Sequence, residues 1–158
     1  MTHPLVRNMA VDDRDAVIAW LAESEPWTTL GYDKDDWEQY FSPLPLGRES
    51  FVIVQDVQVA GLAIVRQKFL LGDYLELLGI APSARGKGLG TLLLRHVESI
   101  VFGRTKNLFA CVSDFNIDAR GFYQRHGYRE IGSLPDLIVG GSAELLLRKT
   151  TGPVRTSQ

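Results

Sequence analysis

Residues 85–90 combine three glycines with two cations at the point where a predicted strand gives way to a predicted helix. The first backbone N–H groups of a helix lack partners within the helix, and the helix dipole makes that end positive. Such an end binds anions, and glycines let the main chain approach a phosphate closely. We therefore predict that a phosphorylated ligand binds at Arg85, Gly86, Lys87, Gly88, Leu89, Gly90 and the hydroxyl group of Thr91.

Two established phosphate-binding motifs do not describe this loop. A Walker loop requires Ser or Thr after the lysine, and Lys87 is followed by glycine. The glycine spacing is G-x-G-x-G, which differs from the dinucleotide-binding pattern G-x-G-x-x-G. The alternative is a plain tight turn between strand and helix. The side chains of Arg85 and Lys87 could also point into solvent, in which case the backbone would do most of the binding.

Glu76 is the one carboxylate in the otherwise apolar run of residues 74–81. A buried carboxylate is costly unless it is paired or functional. Strand alternation places it on one face with Tyr74 and Leu78. As a general base, directly or through water, it would take a proton from an ammonium substrate, and desolvation would raise its pKa. As a structural residue it would pair with an arginine such as Arg66, and both interpretations stay open.

The remaining reactive side chains give weaker signals. Cys111 lies between Ala110 and Val112 without a nearby histidine, which favours a small buried hydrophobic residue over a nucleophile. The three histidines have no metal-ligand spacing, so we expect no metal site.

Hydrophobic periodicity predicts the element order β-α-α-β-β-β-α-β-α-β-β. Strands are predicted at residues 4–10, 50–55, 58–69, 74–81, 107–113, 128–133 and 143–148, and helices begin near residues 12, 33, 88 and 116. Asp12 and Asn116 are predicted N-caps, and Gly127 ends the last helix. Hairpins followed by two crossovers predict a mixed sheet with helices on both faces.

Length and composition narrow the class of protein. The 158 residues fit one domain, which we place at residues 1–150, followed by a flexible polar tail at residues 151–158. A net charge of −2 argues against a nucleic-acid partner, and one cysteine excludes an internal disulfide. No apolar run reaches about 18 residues and residues 1–4 do not begin a signal peptide, so we expect no membrane partner and a cytoplasmic location.

Two motifs in this order resemble the GNAT superfamily of N-acetyltransferases. Residues 85–90 fit its pyrophosphate loop, R/Q-x-x-G-x-G/A, and residues 116–128 fit its second motif, N-x-x-A-x-x-F-Y-x-x-x-G-F/Y. The resemblance implies an α+β (mixed α/β), three-layer GNAT-like fold. Its central sheet is mixed, mostly antiparallel and splayed at the cofactor site. It also implies acetyl-CoA as the cofactor and an amine as the acceptor.

The resemblance also assigns roles to particular residues. The free edge of the strand before the loop would pair with the pantetheine arm through Leu78, Gly79 and Ile80, and glycine in a strand often marks a bulge or close approach. Asn116 would contact pantetheine as well as cap its helix. Tyr123 would protonate the leaving thiolate, and its alternative is a core tyrosine.

The base and the acceptor wall are less well defined by the resemblance. Some members place a glutamate base two positions before Glu76, where this chain has Tyr74, so Tyr74 is the second candidate base after Glu76. Other members use a tyrosine there, or water alone. The first two helices and their loop form one wall of the acceptor site in this family, which makes Trp27 and Tyr32 candidate substrate-binding residues. Core aromatics are the alternative.

The resemblance implies an acyl-CoA-dependent N-acyltransferase that transfers acetyl to a primary amine by direct attack in a ternary complex. A non-catalytic acyl-CoA-binding sensor domain is one alternative. A protein N-terminal or lysine acetyltransferase is another. We expect a small-molecule amine substrate and consider a homodimer.

Overall fold

The computed structural model describes residues 3–43 and 46–157. Residues 1, 2 and 158, which belong to the predicted domain start and tail, lie outside the described residues. The strands are β1 (Leu5–Asn8), β2 (Arg48–Gln55), β3 (Gln58–Phe69), β4 (Gly72–Ile80), β5 (Asn107–Ser113), β6 (Arg129–Pro135) and β7 (Ala143–Thr150). The α-helices are α1 (Arg14–Leu21), α2 (Lys34–Tyr40), α3 (Leu89–Val101) and α4 (Ile117–Arg125). The predicted element order is confirmed.

All seven described strands form one sheet in the order β1-β2-β3-β4-β5-β7-β6. Only β4 and β5 among the paired neighbours run parallel, and the other pairs are antiparallel. The β2–β3 hairpin turns at Asp56 and Val57, whose φ angles of 50° and 58° belong to a type I′ turn. The predicted mixed, mostly antiparallel sheet is therefore confirmed.

Each face of the sheet carries its own hydrophobic core. On one face, Leu93, Val97 and Val101 of α3 pack with Tyr123 of α4 against the strands. On the other face, α1 and α2 pack against side chains that include Val52, Leu62, Ile64 and Leu77. The helices thus cover both faces, as predicted from the two crossovers. No helix of the described chain is long and apolar enough to cross a membrane.

The start of α1 differs from the prediction. A 3₁₀ turn at Val11–Asp13 precedes the helix, and Asp13 instead of Asp12 is the N-cap residue of α1, although its side chain accepts no hydrogen bond from the N–H groups of α1. Its carboxylate accepts a 2.7 Å hydrogen bond from the Ala10 backbone and pairs with Arg7 of β1 at 2.7 and 2.9 Å. The hydrogen bonds from Arg7 lower the pKa of Asp13. Arg7 draws Asp13 inward, so the chain enters the helix one residue later than the sequence suggests.

Candidate active site

A split in the sheet between β4 and β5 forms the candidate site. The two strands pair only from Asp73 opposite Leu108 to Leu75 opposite Ala110, and β4 then continues to Ile80. On the other edge of β4, Leu75 pairs with Val65 and Leu77 with Ile64, so Glu76 is the extra residue of a β-bulge. A bulge bends its strand, which accounts for the divergence of β4 from β5 at this point.

The position of the bulge bears on two expectations, of which one is confirmed and one is wrong. Gly79 does not form the bulge, but it does mark a close approach, because a Cβ there would lie 2.9 Å from the Trp27 ring. Glu76 and Leu78 do not share a face, because the bulge breaks the alternation of β4. Leu78 packs with the core under α3, whereas Glu76 reaches Tyr40 of α2.

The split opens into a cavity of about 890 Å³. This volume lies within the range of ligand-binding clefts. With the exception of Lys87, which is exposed, every residue predicted for the site lines the cavity. These residues are Trp27, Tyr32, Tyr74, Glu76, Leu78, Gly79, Ile80, Arg85, Gly86, Gly88, Leu89, Gly90, Thr91, Asn116 and Tyr123.

The glycine-rich loop fits a pyrophosphate group. Gly88 is the N-cap of α3 with a φ of 79°, Gly86 has a φ of 76°, and both have open space where a Cβ would be. Gly88 has no side chain with which to cap the first turn of α3. Its N–H groups are therefore available to an anion at the end of the cavity where the helix dipole is positive.

Two loop side chains already have partners within the protein. Arg85 donates a 3.1 Å hydrogen bond through Nε to the carbonyl oxygen of Ile80. Thr91 Oγ1 lies 3.1 Å from His126 Nε2, and His126 Nδ1 lies 2.8 Å from the carbonyl oxygen of Phe122. The carbonyl requires a proton on Nδ1, so in the neutral ring Thr91 donates to Nε2. The sequence did not indicate this link between His126 and the loop.

The exposed edge of β4 is suited to pair with an extended ligand. On one side, β4 pairs with β3 through Leu78, Gly79 and Ile80. On the other side, the pairing of β4 with β5 ends at Leu75 and does not reach these three residues. An unpaired strand edge offers N–H and C=O groups to an incoming chain.

The N-cap of α4 and one residue within that helix, Asn116 and Tyr123, also line the cavity. Asn116 Oδ1 accepts a 3.2 Å hydrogen bond from the Ala119 backbone, which confirms its N-cap role. Tyr123 is buried beside the cavity, and burial raises the pKa of its hydroxyl group, with a further contribution from Cys111. A tyrosine in this state holds its proton at neutral pH, as a proton donor must.

Glu76 is enclosed by donors. Its Oε2 accepts from the Tyr40 hydroxyl group and, at 2.7 Å, from Arg48 Nε, while its Oε1 accepts from Arg66 at 2.7 and 3.0 Å. Burial acts to raise the pKa of Glu76, but the hydrogen bonds from Tyr40, Arg48 and Arg66 outweigh it and hold the pKa below its ordinary value. The prediction of a raised pKa is therefore wrong, and the structural pair with Arg66 is confirmed.

Tyr74 and Cys111 face each other across the mouth of the split. The Tyr74 ring stacks on Phe69 at 4.9 Å, and Tyr74 and Cys111 are close enough that each affects the pKa of the other. Burial raises the pKa of Tyr74, and Cys111, Glu76 and Glu144 raise it further. Burial also raises the pKa of Cys111, which is half-buried beside the cavity. Neither group is poised to ionise near neutral pH.

The aromatic residues of the front segment act both as core and as cavity wall. Trp37 is buried, and its ring lies 5.9 Å from Trp27, 5.5 Å from Tyr32 and 5.9 Å from Tyr40. The three surrounding rings are only half-buried and line the cavity. Trp37 thus supports a wall formed by Trp27, Tyr32 and Tyr40, which we call the aromatic wall.

The sequence analysis missed Glu144. It is the second residue of β7, 7% exposed, and lines the cavity opposite Ser113 of β5. Ser113 Oγ donates a 2.6 Å hydrogen bond to its Oε2. Burial raises the pKa of Glu144, the Ser113 hydrogen bond lowers it and Asp114 raises it, with a net increase. In the sequence, Glu144 is a lone carboxylate before Leu145, Leu146 and Leu147. The same pattern, a single carboxylate beside apolar residues, made Glu76 a candidate.

Comparison with known proteins agrees with this geometry. The sequence pattern of the Acetyltransferase (GNAT) family matches residues 14–128, which is most of the chain. The chain belongs to this family. A crystal structure of an aminoglycoside 6′-N-acetyltransferase complexed with coenzyme A has the same fold, with a TM-score of 0.77 at 17% identity over 97% of this chain and 99% of that one.

Two curated GNAT relatives match in part. A blasticidin-S acetyltransferase of Streptomyces morookaense is 35% identical over 80 residues, which are 48% of this chain and 56% of that protein. A peptidyl-lysine N-acetyltransferase of Salmonella typhimurium is 35% identical over 63 residues, which are 40% of this chain and 41% of that protein. The matched segments therefore cover about half the length of these two relatives.

Proposed function

We propose that this GNAT protein is an N-acetyltransferase that transfers the acetyl group of acetyl-CoA to a primary amine. The observation that carries the proposal is the continuity of one cavity from the uncapped first turn of α3, along the unpaired edge of β4, to Tyr123. These three parts match the pyrophosphate, the pantetheine arm and the thioester sulfur in the order in which they occur in the cofactor.

The residues that hold acetyl-CoA follow from this order. The N–H groups at the start of α3 bind the pyrophosphate, and glycine at positions 86 and 88 leaves room for it. The edge of β4 at residues 78–80 binds the pantetheine arm, together with Asn116 at the start of α4. When bound, acetyl-CoA supplies an activated acetyl thioester.

Proton transfer and charge stabilisation are the chemical tasks of the protein. A backbone N–H near Ile80 polarises the thioester carbonyl, as an oxyanion-hole donor does. Tyr123 gives its proton to the departing sulfur, and its raised pKa ensures that the proton is present. Cys111 does not act as a nucleophile, because its raised pKa keeps it a thiol. The amine therefore attacks the thioester directly.

The acceptor is a small cationic amine in this proposal. The aromatic wall borders one side of the cavity, and Glu144 and Ile138 border it elsewhere. Aromatic faces attract cations, so the aromatic wall suits a cationic amine. The blasticidin-S relative acts on a small molecule by its name, and the lysine relative on a peptide, so the second class is the alternative.

Three further predictions concern the whole protein. Residues 1–150 form a single domain, and residues 151–158 form a flexible tail, in keeping with the end of β7 at Thr150. The single cysteine favours a reducing, cytoplasmic location. Light scattering will show whether the protein forms the homodimer that we consider.

The test is a free-thiol release assay with acetyl-CoA against polyamines, aminoglycosides, amino acids and N-terminal peptides. Tyr123→Phe should lower kcat by roughly 100-fold or more while the affinity for coenzyme A, measured by calorimetry, is unchanged. Tyr128→Phe is the matched control, because Tyr128 is equally buried but binds Glu98 away from the cavity.

The outcomes separate the candidate functions. Tight binding of coenzyme A without acetylation of any amine, together with tolerance of Tyr123→Phe, would support the sensor domain. Turnover confined to peptides would support the protein acetyltransferase. Absence of coenzyme A binding would contradict all three candidate functions, the small-molecule transferase included.

A further inference from the structure

We propose that Glu144 binds the acceptor ammonium group and removes its proton, as the general base of the reaction. This inference rests on the proposed transferase function. It replaces Glu76 and Tyr74, the two bases suggested by the sequence, with a residue that neither motif contains.

Among the described residues, Glu144 lacks a cation partner. The buried acidic side chains of the described chain are Asp13, Asp73 and Glu144. Asp13 pairs with Arg7 at 2.7 Å and Asp73 with Arg104 at 2.6 Å. Within residues 3–43 and 46–157, no Lys or Arg forms an ion pair with Glu144. A buried carboxylate without a cation is destabilising, so such a group persists where a ligand supplies the missing charge.

Glu144 lines the cavity. Its charge contributes to the raised pKa of Tyr32, Tyr74 and Cys111, which line the cavity too. These three residues belong to the aromatic wall, to β4 and to β5, so the carboxylate acts on cavity residues from three separate parts of the chain. A cationic amine placed between the aromatic wall and Glu144 would contact both.

The surroundings of Glu144 favour proton uptake as a net effect. Burial and the like charge of Asp114 raise its pKa, whereas the hydrogen bond that Ser113 on β5 donates to it acts in the opposite direction. The register partner of Glu144 on β6 is Leu134, which is apolar. Burial and Asp114 together raise the pKa of Glu144, which makes it a better proton acceptor than an ordinary carboxylate.

Glu144 and Tyr123 line the same cavity. Cys111 and Ser113 of β5 line it as well, and Glu144 lies opposite Ser113 in the β5–β7 register. Glu144 therefore serves the amine and Tyr123 serves the sulfur within one cavity.

The protons and electrons balance in this arrangement. Glu144 takes one proton from the ammonium group and releases it to solvent. The freed nitrogen lone pair forms the C–N bond, the C–S bond breaks, and the sulfur takes its electrons and the proton of Tyr123. A second nitrogen proton passes through solvent to restore Tyr123, and the third stays on the amide.

The test is Glu144→Gln, with Glu130→Gln on exposed β6 as the matched control. For the best amine of the panel, kcat/KM of the variant should fall roughly 100-fold at neutral pH. The wild-type decrease of kcat/KM toward acid pH, caused by protonation of Glu144, should disappear in the variant. Glu144→Asp should restore part of the activity, and coenzyme A affinity should not change.

Two measurements without substrate address a purely structural role. A ¹³C NMR titration of glutamate-labelled protein should show one carboxyl resonance that titrates above the others and is missing in Glu144→Gln. The melting temperature of Glu144→Gln at neutral pH should equal or exceed that of the wild type, because an uncompensated buried charge is removed.

The outcomes distinguish the two proposals. Thiol release by Glu144→Gln at the wild-type rate with an unchanged pH profile refutes the role of Glu144 alone. A normal titration midpoint or a large loss of stability also refutes it. A wild-type protein that acetylates no amine refutes the transferase itself, and the base assignment with it.

Discussion

Replacement of Glu76 by Gln tests whether this residue holds the site together or takes part in the chemistry. Gln keeps the shape of the side chain but removes the charge that faces Arg48 and Arg66. The Glu76 side chain is 15% exposed, Arg48 is 22% exposed and Arg66 is 49% exposed. We expect loss of stability and retention of turnover.

The expected loss of stability follows from the exposed fractions of these three side chains. A hydrogen bond between charged groups contributes about 1.5–3 kcal/mol when shielded, which applies to Arg48. Solvent screening reduces the Arg66 pair to about 0.2–1 kcal/mol. Glu76→Gln should therefore lower the free energy of unfolding by about 2–4 kcal/mol, or the melting temperature by roughly 4–16 °C for a domain of this size.

The contribution of Glu76 to stability depends on pH in a defined direction. The folded-state pKa of Glu76 is lowered, so its contribution is complete above the unfolded value of about 4.3 and is lost as the pH falls through the folded value. Urea unfolding of wild type and variant should differ most near neutral pH and converge as the solution becomes more acidic than about pH 4.

The control is Glu130→Gln, which breaks an ion pair with Arg120 at 3.1 Å in which the side chains are 49% and 35% exposed. This change should cost less than about 1 kcal/mol. Equal losses in the two variants would refute the argument from burial. A large fall in the kcat of Glu76→Gln, measured at temperatures at which the variant is folded, would show that Glu76 takes part in the reaction.

Two further predictions concern the phosphate loop and the thiol. Gly88→Ala should weaken coenzyme A binding in calorimetry and cost about 1–2 kcal/mol of stability, because alanine is strained at a φ of 79°. Gly141→Ala, at a φ of 87° in the β6–β7 connection, should show the strain without the binding defect, and equal binding by both variants would contradict the role of the loop. Cys111 should react with iodoacetamide more slowly than glutathione does near pH 8, because burial raises the pKa of the Cys111 thiol. Mass spectrometry gives the reaction rate. A rate equal to that of glutathione would contradict the prediction.

Local signals sufficed for the phosphate loop and the order of elements. Glycine at positions 86 and 88 indicates a left-handed backbone, and the apolar period after it indicates a helix, so both features depend on neighbours along the chain. The cap at Asn116 is likewise local, because its hydrogen bond joins residues three positions apart. The cap predicted at Asp12 failed because Arg7 of β1 draws in Asp13.

Glu76 and Glu144 show what only the tertiary structure decided. Both are single carboxylates beside apolar strand residues, and the sequence around them carries the same signal. The fold brings Arg48 and Arg66, 28 and 10 residues distant, to Glu76, and brings no ion-pairing arginine or lysine of the described chain to Glu144. The pKa of a carboxyl group depends on charges within a few ångströms and on burial, whichever part of the chain supplies them. The sequence therefore determined the fold and the glycine-rich turn, and the packing of distant strands determined which of the two carboxylates has a cation partner.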